Sequence, residues 1–275
     1  MHSKFPFTAV QILWTLTFAA QLVLLVVIMG RDRLSRYPLF TSSIALFAIR
    51  LLVEMLLTGR MTTFVLQTVL IVLADVAAIL SLLVVVEITR HAFSRVPRLV
   101  LVNGSIASFV IAGVVMTFWG PWPMQQLLSL DSPLALLRLM QFSAQKIEML
   151  ADILALELGL LIVFFGRRYK APWRSHTQAI AIGLSVVSIS WLSIQGIWLN
   201  IAKNAHPTTR EQYQQFIDLS ARLVNINKIV YIAVLIWWIA WLWIDEPWAK
   251  TAQETPVLEQ ASEQEQKPDH PEENL

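Results

Sequence analysis

Cysteine is absent from the chain, which removes disulfides, thiolate metal sites, iron–sulfur clusters and cysteine nucleophiles together. Histidine is scarce: the five present are His2, His91, His176, His206 and His270, and none falls deep inside a long apolar stretch. That excludes axial histidine pairs for an intramembrane haem and the buried histidine clusters of seven-helix zinc hydrolases. No metal and no cofactor is therefore expected. No serine has a histidine base within reach at depth, and P-loop, dinucleotide-binding glycine run and HExxH are all missing. With no nucleophile–base set visible, an enzymatic role ranks last. The basic residues are spread between apolar runs and give no nucleic-acid signal.

What the chain has in abundance is apolar sequence, 56% of its 275 residues. Seven long apolar stretches read as spans over 8–29, 38–58, 64–89, 99–119, 134–166, 177–199 and 209–244, each matching the roughly 20 residues that cross a bilayer. No proline interrupts a span. The expected fold is all-α, a bundle of seven transmembrane helices over residues 1–245, followed by a tail over 246–275. The first stretch follows Lys4 and lacks a small-residue cleavage site, so it reads as a retained helix. The tail carries eight acidic residues against Lys250 and Lys267 and has almost no aromatics, which predicts a disordered segment. An inert, solvated terminus is the simpler reading of it, and a cytoplasmic partner the alternative.

The turns have a charge pattern. Arg31, Arg33 and Arg36 follow the first span, Arg90, Arg95 and Arg98 the third, and Arg167, Arg168, Lys170 and Arg174 the fifth. The alternate turns offer Arg60, Lys203 and Arg210, so ten basic residues stand against three. By the positive-inside rule the N-terminus is outside and the C-terminus cytoplasmic. Tryptophans at both expected interfaces agree: Trp14, Trp119, Trp122 and Trp198 outside, Trp173, Trp243 and Trp248 inside. Ser132-Pro133 and the capping-box spacing of Thr208 to Glu211 open the fifth and seventh helices early. Both should project outward by about 15–20 Å. Pro121-Trp122-Pro123 with Met124 to Leu130 reads as a turn and a short interfacial segment.

Charged side chains inside the spans are the candidate site. An ionisable group at the bilayer centre costs roughly 2.5–3.5 kcal/mol on insertion scales, so it is paired or faces a watery cavity. Arg50, Glu54, Asp75, Asp152, Glu157 and Lys228 are such groups, with Gln195 beside them. By helical rise they cluster from the midplane outward, on helices 2, 3, 5, 6 and 7. Arg50 and Glu54 are spaced to pair along one helix face, while Glu148 and Asp152 at the same spacing repel. Arg50 and Lys228 are the natural partners of those carboxylates. The structural alternative is that these groups only hold helices together, at about 0.6 kcal/mol for an average interhelical polar contact. Glu87, near Arg90 and His91, reads as an interfacial ion pair. Gly104, Ser108 and Ala112, and the Ala74–Ala78 and Ala77–Ser81 pairs, have the small-xxx-small spacing of close helix packing.

The turn Arg31 to Pro38, the internal Arg50 and the sequence Glu87-Ile88 with Arg90-His91 resemble a group of seven-helix bacterial integral membrane proteins. The resemblance covers the helical body and implies the fold and a bacterial inner membrane; no activity is attached to it. Seven helices with Lys228 in the last also resemble the microbial rhodopsins, which would make Asp75 a counter-ion and Trp191 and Trp198 chromophore neighbours. The chain departs from that pattern. Val224 stands where the family has an aspartate, and helix 3 lacks its arginine and aromatic residues, so retinal is not expected.

The resulting functional expectation is receptor- or sensor-like binding of a small polar molecule in an outward-facing intramembrane pocket. A proton- or cation-coupled transporter using Asp75 and Glu157, or an accessory subunit of a membrane complex, are the alternatives. The partners expected are the lipid bilayer and that small ligand.

Overall fold

A computed structural model describes residues 9–94, 96–119, 122, 133–165, 175–204 and 209–245. Arg95, the basic turn over 167–174 with Trp173, the segment after Pro123, Ser132, Thr208, and the tail with Trp248 lie outside the described residues. Within them the chain is all-helical. The seven helices are α1 (Ala9–Gly30), α2 (Pro38–Leu57), α3 (Thr63–Ala92), α4 (Arg98–Phe118), α5 (Pro133–Phe165), α6 (His176–Asn204) and α7 (Arg210–Trp243). Apart from α5, all are long and apolar enough to cross a membrane. Regular helix is what such sequence must form in lipid, where backbone polar groups find no water. The expected boundaries hold to within a few residues. The capping box that opens α7 is shifted one residue from expectation, to Thr209 and Gln212.

Six helices close a ring in the order α1, α2, α3, α5, α6, α7 and back to α1, with α3 also touching α6; α4 packs on α5 alone. One end of the ring bears Arg31, Arg33, Arg36, Arg90 and Arg98 and is termed the basic end. At this end the ring is solid. Leu24 and Ile28 of α1, Phe40 and Ile44 of α2, Val84 and Ile88 of α3, Ile180 of α6 and Leu235, Trp238 and Leu242 of α7 form one buried cluster. Phe40 meets Trp238 edge-on with ring centroids 5.0 Å apart.

The far end is different. Before Thr17 in α1, after Ala48 in α2, before Ala77 in α3 and before Val234 in α7, no described residue is fully buried. Parallel pairing of α1 with α7 sets Trp14 against Lys228 and Arg31 against Trp243. At that register α7 starts about 13 residues before the level of Ala9, a projection of roughly 20 Å. The Trp198–Phe216 contact, with centroids 4.6 Å apart, brings α6 out along with it. The end of α4 is pinned by Lys146 of α5, which donates to the Trp119 carbonyl at 3.0 Å and lies over the Trp122 ring.

Glu87 corrects the sequence reading. It forms no ion pair among the described residues. It is buried and accepts from the backbone N–H groups of Leu39 and Phe40 at 3.1 and 2.9 Å. Those are first-turn donors of α2, which Tyr37 does not cap with its own side chain, so α3 supplies the cap. At the same end Arg33 donates to the Ile244 carbonyl at 3.1 Å and approaches the Asp245 carboxylate at 3.5 Å. The His176 Nε2–H donates to the same carbonyl at 2.9 Å, which leaves Nδ1 to accept from Arg33. The α1–α2 turn thus clamps the end of α7 to the start of α6.

Two glycines set helix spacing. A Cβ on Gly183 would fall on the indole of Trp238, and one on Gly159 on the Ser185 hydroxyl, whereas Gly104 and Gly113 have nothing within 4 Å. Gly183→Ala and Gly159→Ala are each expected to lose about 1–3 kcal/mol through overpacking. Gly104→Ala and Gly113→Ala should hold or gain stability, up to about 1 kcal/mol from helix propensity. Thermal unfolding of the four variants in detergent checks this. Glu87→Ala, which strands two buried N–H groups, should cost roughly 2–3 kcal/mol, and Glu87→Gln distinctly less by the same measurement.

Candidate functional site

Polar groups of the loosely packed half are arranged seam by seam around the ring. Between α1 and α7, Gln21 donates to the Tyr231 hydroxyl at 3.2 Å. Between α6 and α7, Ser190 donates to Asn227 at 2.9 Å. Between α5 and α6, Ser188 donates to Asp152 Oδ1 at 2.8 Å. Between α3 and α5, Ser143 approaches Asp75 at 3.4 Å. Each uses a short hydroxyl or amide to satisfy a group that hydrocarbon would leave without a partner.

A second set of charges crosses the ring. Arg50 of α2 is the positive charge felt by Glu148 of α5. Glu54, one turn on, is the negative charge felt by Lys228 of α7. The backbone of α2 is not closely packed on that of α5 or α7, although Phe40 and Trp238 meet at the basic end, so these side chains are directed into the ring. None of them closes to a contact ion pair; the contact pairs among the described residues are Arg31 and Arg33 with Asp245. The pairing of Arg50 with Glu54 along α2 is likewise not formed. Lys228 also lies over the Trp14 ring, 5.6 Å from its centroid.

The charged side chains of α2, α5 and α7 therefore share one polar region inside the ring, beside the serine-bridged seams. Gln21 and Tyr231 form its floor, and the apolar plug of Leu24, Phe40 and Trp238 lies beneath. Gln21 is 1% exposed, and its Oε1 accepts no hydrogen bond. Two cations, Arg50 and Lys228, share this region with the carboxylates of Glu54, Glu148 and Asp152, and Asp75 lies on the α3–α5 seam. With Arg50 opposite Glu148 and Lys228 opposite Glu54, the carboxylates of Asp75 and Asp152 are in excess.

Not every candidate joins this space. Glu157 lies five residues beyond Asp152 on α5, about 140° around the helix. It turns toward Ser108 of α4. Both of its carboxylate oxygens are buried, with Ser108 outside hydrogen-bond geometry. Gln195 is half-buried and lies two turns beyond Ser188 on the same face of α6. Gln21, Tyr231, Ser188 and Ser190 were absent from the sequence-derived set. The available signal was Gln21 itself, a lone amide inside an otherwise apolar helix. The serines were legible only as packing residues until their carboxylate and amide partners were in view. Among the described residues no group of three or more His, Asp or Glu side chains is arranged to hold a metal ion.

Fold and composition define a multi-pass helical membrane protein with a polar interior at one end. Comparison with protein-family models, curated proteins and solved structures finds no match to the chain.

The cross-ring charges make a direct prediction. Lys228→Glu and Glu54→Lys should each lower the thermal midpoint, and the Glu54→Lys/Lys228→Glu double variant should recover most of the loss. The coupling expected is about 1 kcal/mol, within the usual range for interacting neighbours, and a double-mutant cycle in detergent measures it.

Proposed function

We propose that this chain is a receptor- or sensor-like membrane protein that binds a small polar molecule, zwitterionic or cationic, in the space between α2, α5 and α7. What supports the reading is that Arg50 of α2 is within electrostatic reach of Glu148 of α5, and Glu54 of α2 within that of Lys228 of α7, with no contact ion pair between them among the described residues. Charges held opposite one another without closing into ion pairs leave room for a ligand's own charges between them. Arg50 and Lys228 would meet an anionic group. Asp75 and Asp152, in excess over the basic groups, would meet a cationic one.

The basic end faces the cytoplasm by the positive-inside rule, so the polar space opens outward and α7 ends inside. The resemblance of its turns to bacterial membrane proteins argues for a bacterial inner membrane. The clamp of Arg33, His176 and Asp245 ties the α7 end to α1 and α6. A displacement of α7 at Lys228 would act on this clamp and on the tail that follows, where a cytoplasmic partner would read it.

The excess of carboxylates favours one second reading, a cation- or proton-coupled transporter. Against it, each helix runs unbroken from end to end, whereas transporter sites usually use discontinuous helices.

Native mass spectrometry of protein gently extracted from its own membranes tests the proposal. A reproducible extra mass is expected, lost in Arg50→Ala and in Asp152→Asn. A mass equal to the bare chain, joined to cation uptake by liposomes that Asp152→Asn abolishes, would replace receptor with transporter.

A further inference from the structure

Because α4 packs on α5 and not on α3, a cleft of about 790 Å³ separates α3 from α4, with Leu154, Leu158 and Leu161 of α5 as its back wall. Its volume is within the roughly 300–1,000 Å³ of ligand sites, yet the lining is almost wholly apolar. The polar exceptions are Ser105 and Ser108 along α4 and, at the mouth, Thr89 and Arg90 in the last turn of α3, where the one charge of the lining stands. Arg90 is exposed there, as is Arg98 at the start of α4. Glu157 is not part of the lining, its oxygens being buried.

The dimensions identify the occupant. Along α4 the lining runs from Val100 to Val110, a depth of about 15 Å, which is one leaflet of a roughly 30 Å hydrocarbon core. An apolar slot one leaflet deep, with a guanidinium at its mouth, fits an acyl chain below an anionic phosphate. Basic pockets between membrane helices are suited to such head groups. We propose that this cleft is a binding site for one anionic phospholipid of the leaflet at the basic end, its phosphate on Arg90 and its chain between α3 and α4. The lipid fills the gap that leaves α4 without a second helical neighbour, and so fixes where α4 stands.

The full chain, equilibrated with equimolar phosphatidylglycerol and phosphatidylethanolamine and read by native mass spectrometry, tests this. One phosphatidylglycerol per chain should be retained under activation that strips phosphatidylethanolamine. Gly104→Phe, at a position with open space beside it, should abolish retention. Ala107→Phe, exposed on the same helix and outside the lining, should not. Arg90→Gln should lower the preference for phosphatidylglycerol roughly fivefold, the weight of one basic residue at an anionic surface. Retention unchanged in Gly104→Phe, or a preference unchanged in Arg90→Gln, would overturn the proposal. So would a lipid-free dimer that Gly104→Phe dissociates, which would make a second copy of the chain the occupant.

Discussion

The constraint on which the rest depends is the poor tolerance of hydrocarbon for charge. Helix α5 carries Lys146, Glu148, Asp152 and Glu157 within about three turns, and it alone falls short of the apolar character of a simple span. A helix so charged cannot face lipid on all sides. It is accordingly set into the ring wall between α3 and α6, with α4 against its outer side. Each carboxylate takes a different neighbour: Arg50 for Glu148, Ser188 for Asp152 and Ser108 for Glu157. By contrast α4, with no charge beyond its first residue, is left outside with most of its surface for lipid. Chain order places α4 before α5, but charge decides which of them joins the ring.

From that arrangement follows the asymmetry of the bundle. At the basic end, Phe40, Ile88, Leu235 and Trp238 interlock, α3 caps α2 through Glu87, and Arg33 and His176 hold the end of α7. Toward the far end α1, α2, α3 and α7 bury little, while α5 and α6 still bury Ala144, Leu192 and Ile194 beside their polar side chains. A solid end bearing a charged end is the arrangement on which the proposed binding of a polar molecule rests.

Much of this was legible in the residues. Long proline-free apolar runs separated by charged turns leave little choice but seven helices, and charges within such runs mark the interior. Helical rise alone predicted that Arg50, Asp152 and Lys228 lie in the same half of the bundle, and the charges felt by Glu148 and Lys228 agree with it. Rotation and neighbourhood did not. Glu157 shares a helix with Asp152, but only knowledge of which helices flank α5 reveals that it faces α4. Glu87 sits among charges in sequence and so resembles an ion pair. Its partners are backbone donors of another helix, and no side-chain pattern advertises those. In the structure Glu87 caps α2 just after Pro38, and the Tyr37 and His91 rings meet there, 5.3 Å apart.

The central claim is a water-accessible polar space that ends at an apolar plug. The chain contains no cysteine, so single-cysteine variants can be read without background. Asp152→Cys and Asn227→Cys line the space, and Leu235→Cys lies in the plug. A small, membrane-impermeant thiol reagent should label the first two from the side on which α6 and α7 project, and leave the third unlabelled until the protein is denatured. Equal protection at all three positions would contradict the claim: the charges would then be sealed among the helices, out of reach of any ligand, and would serve only to hold them together.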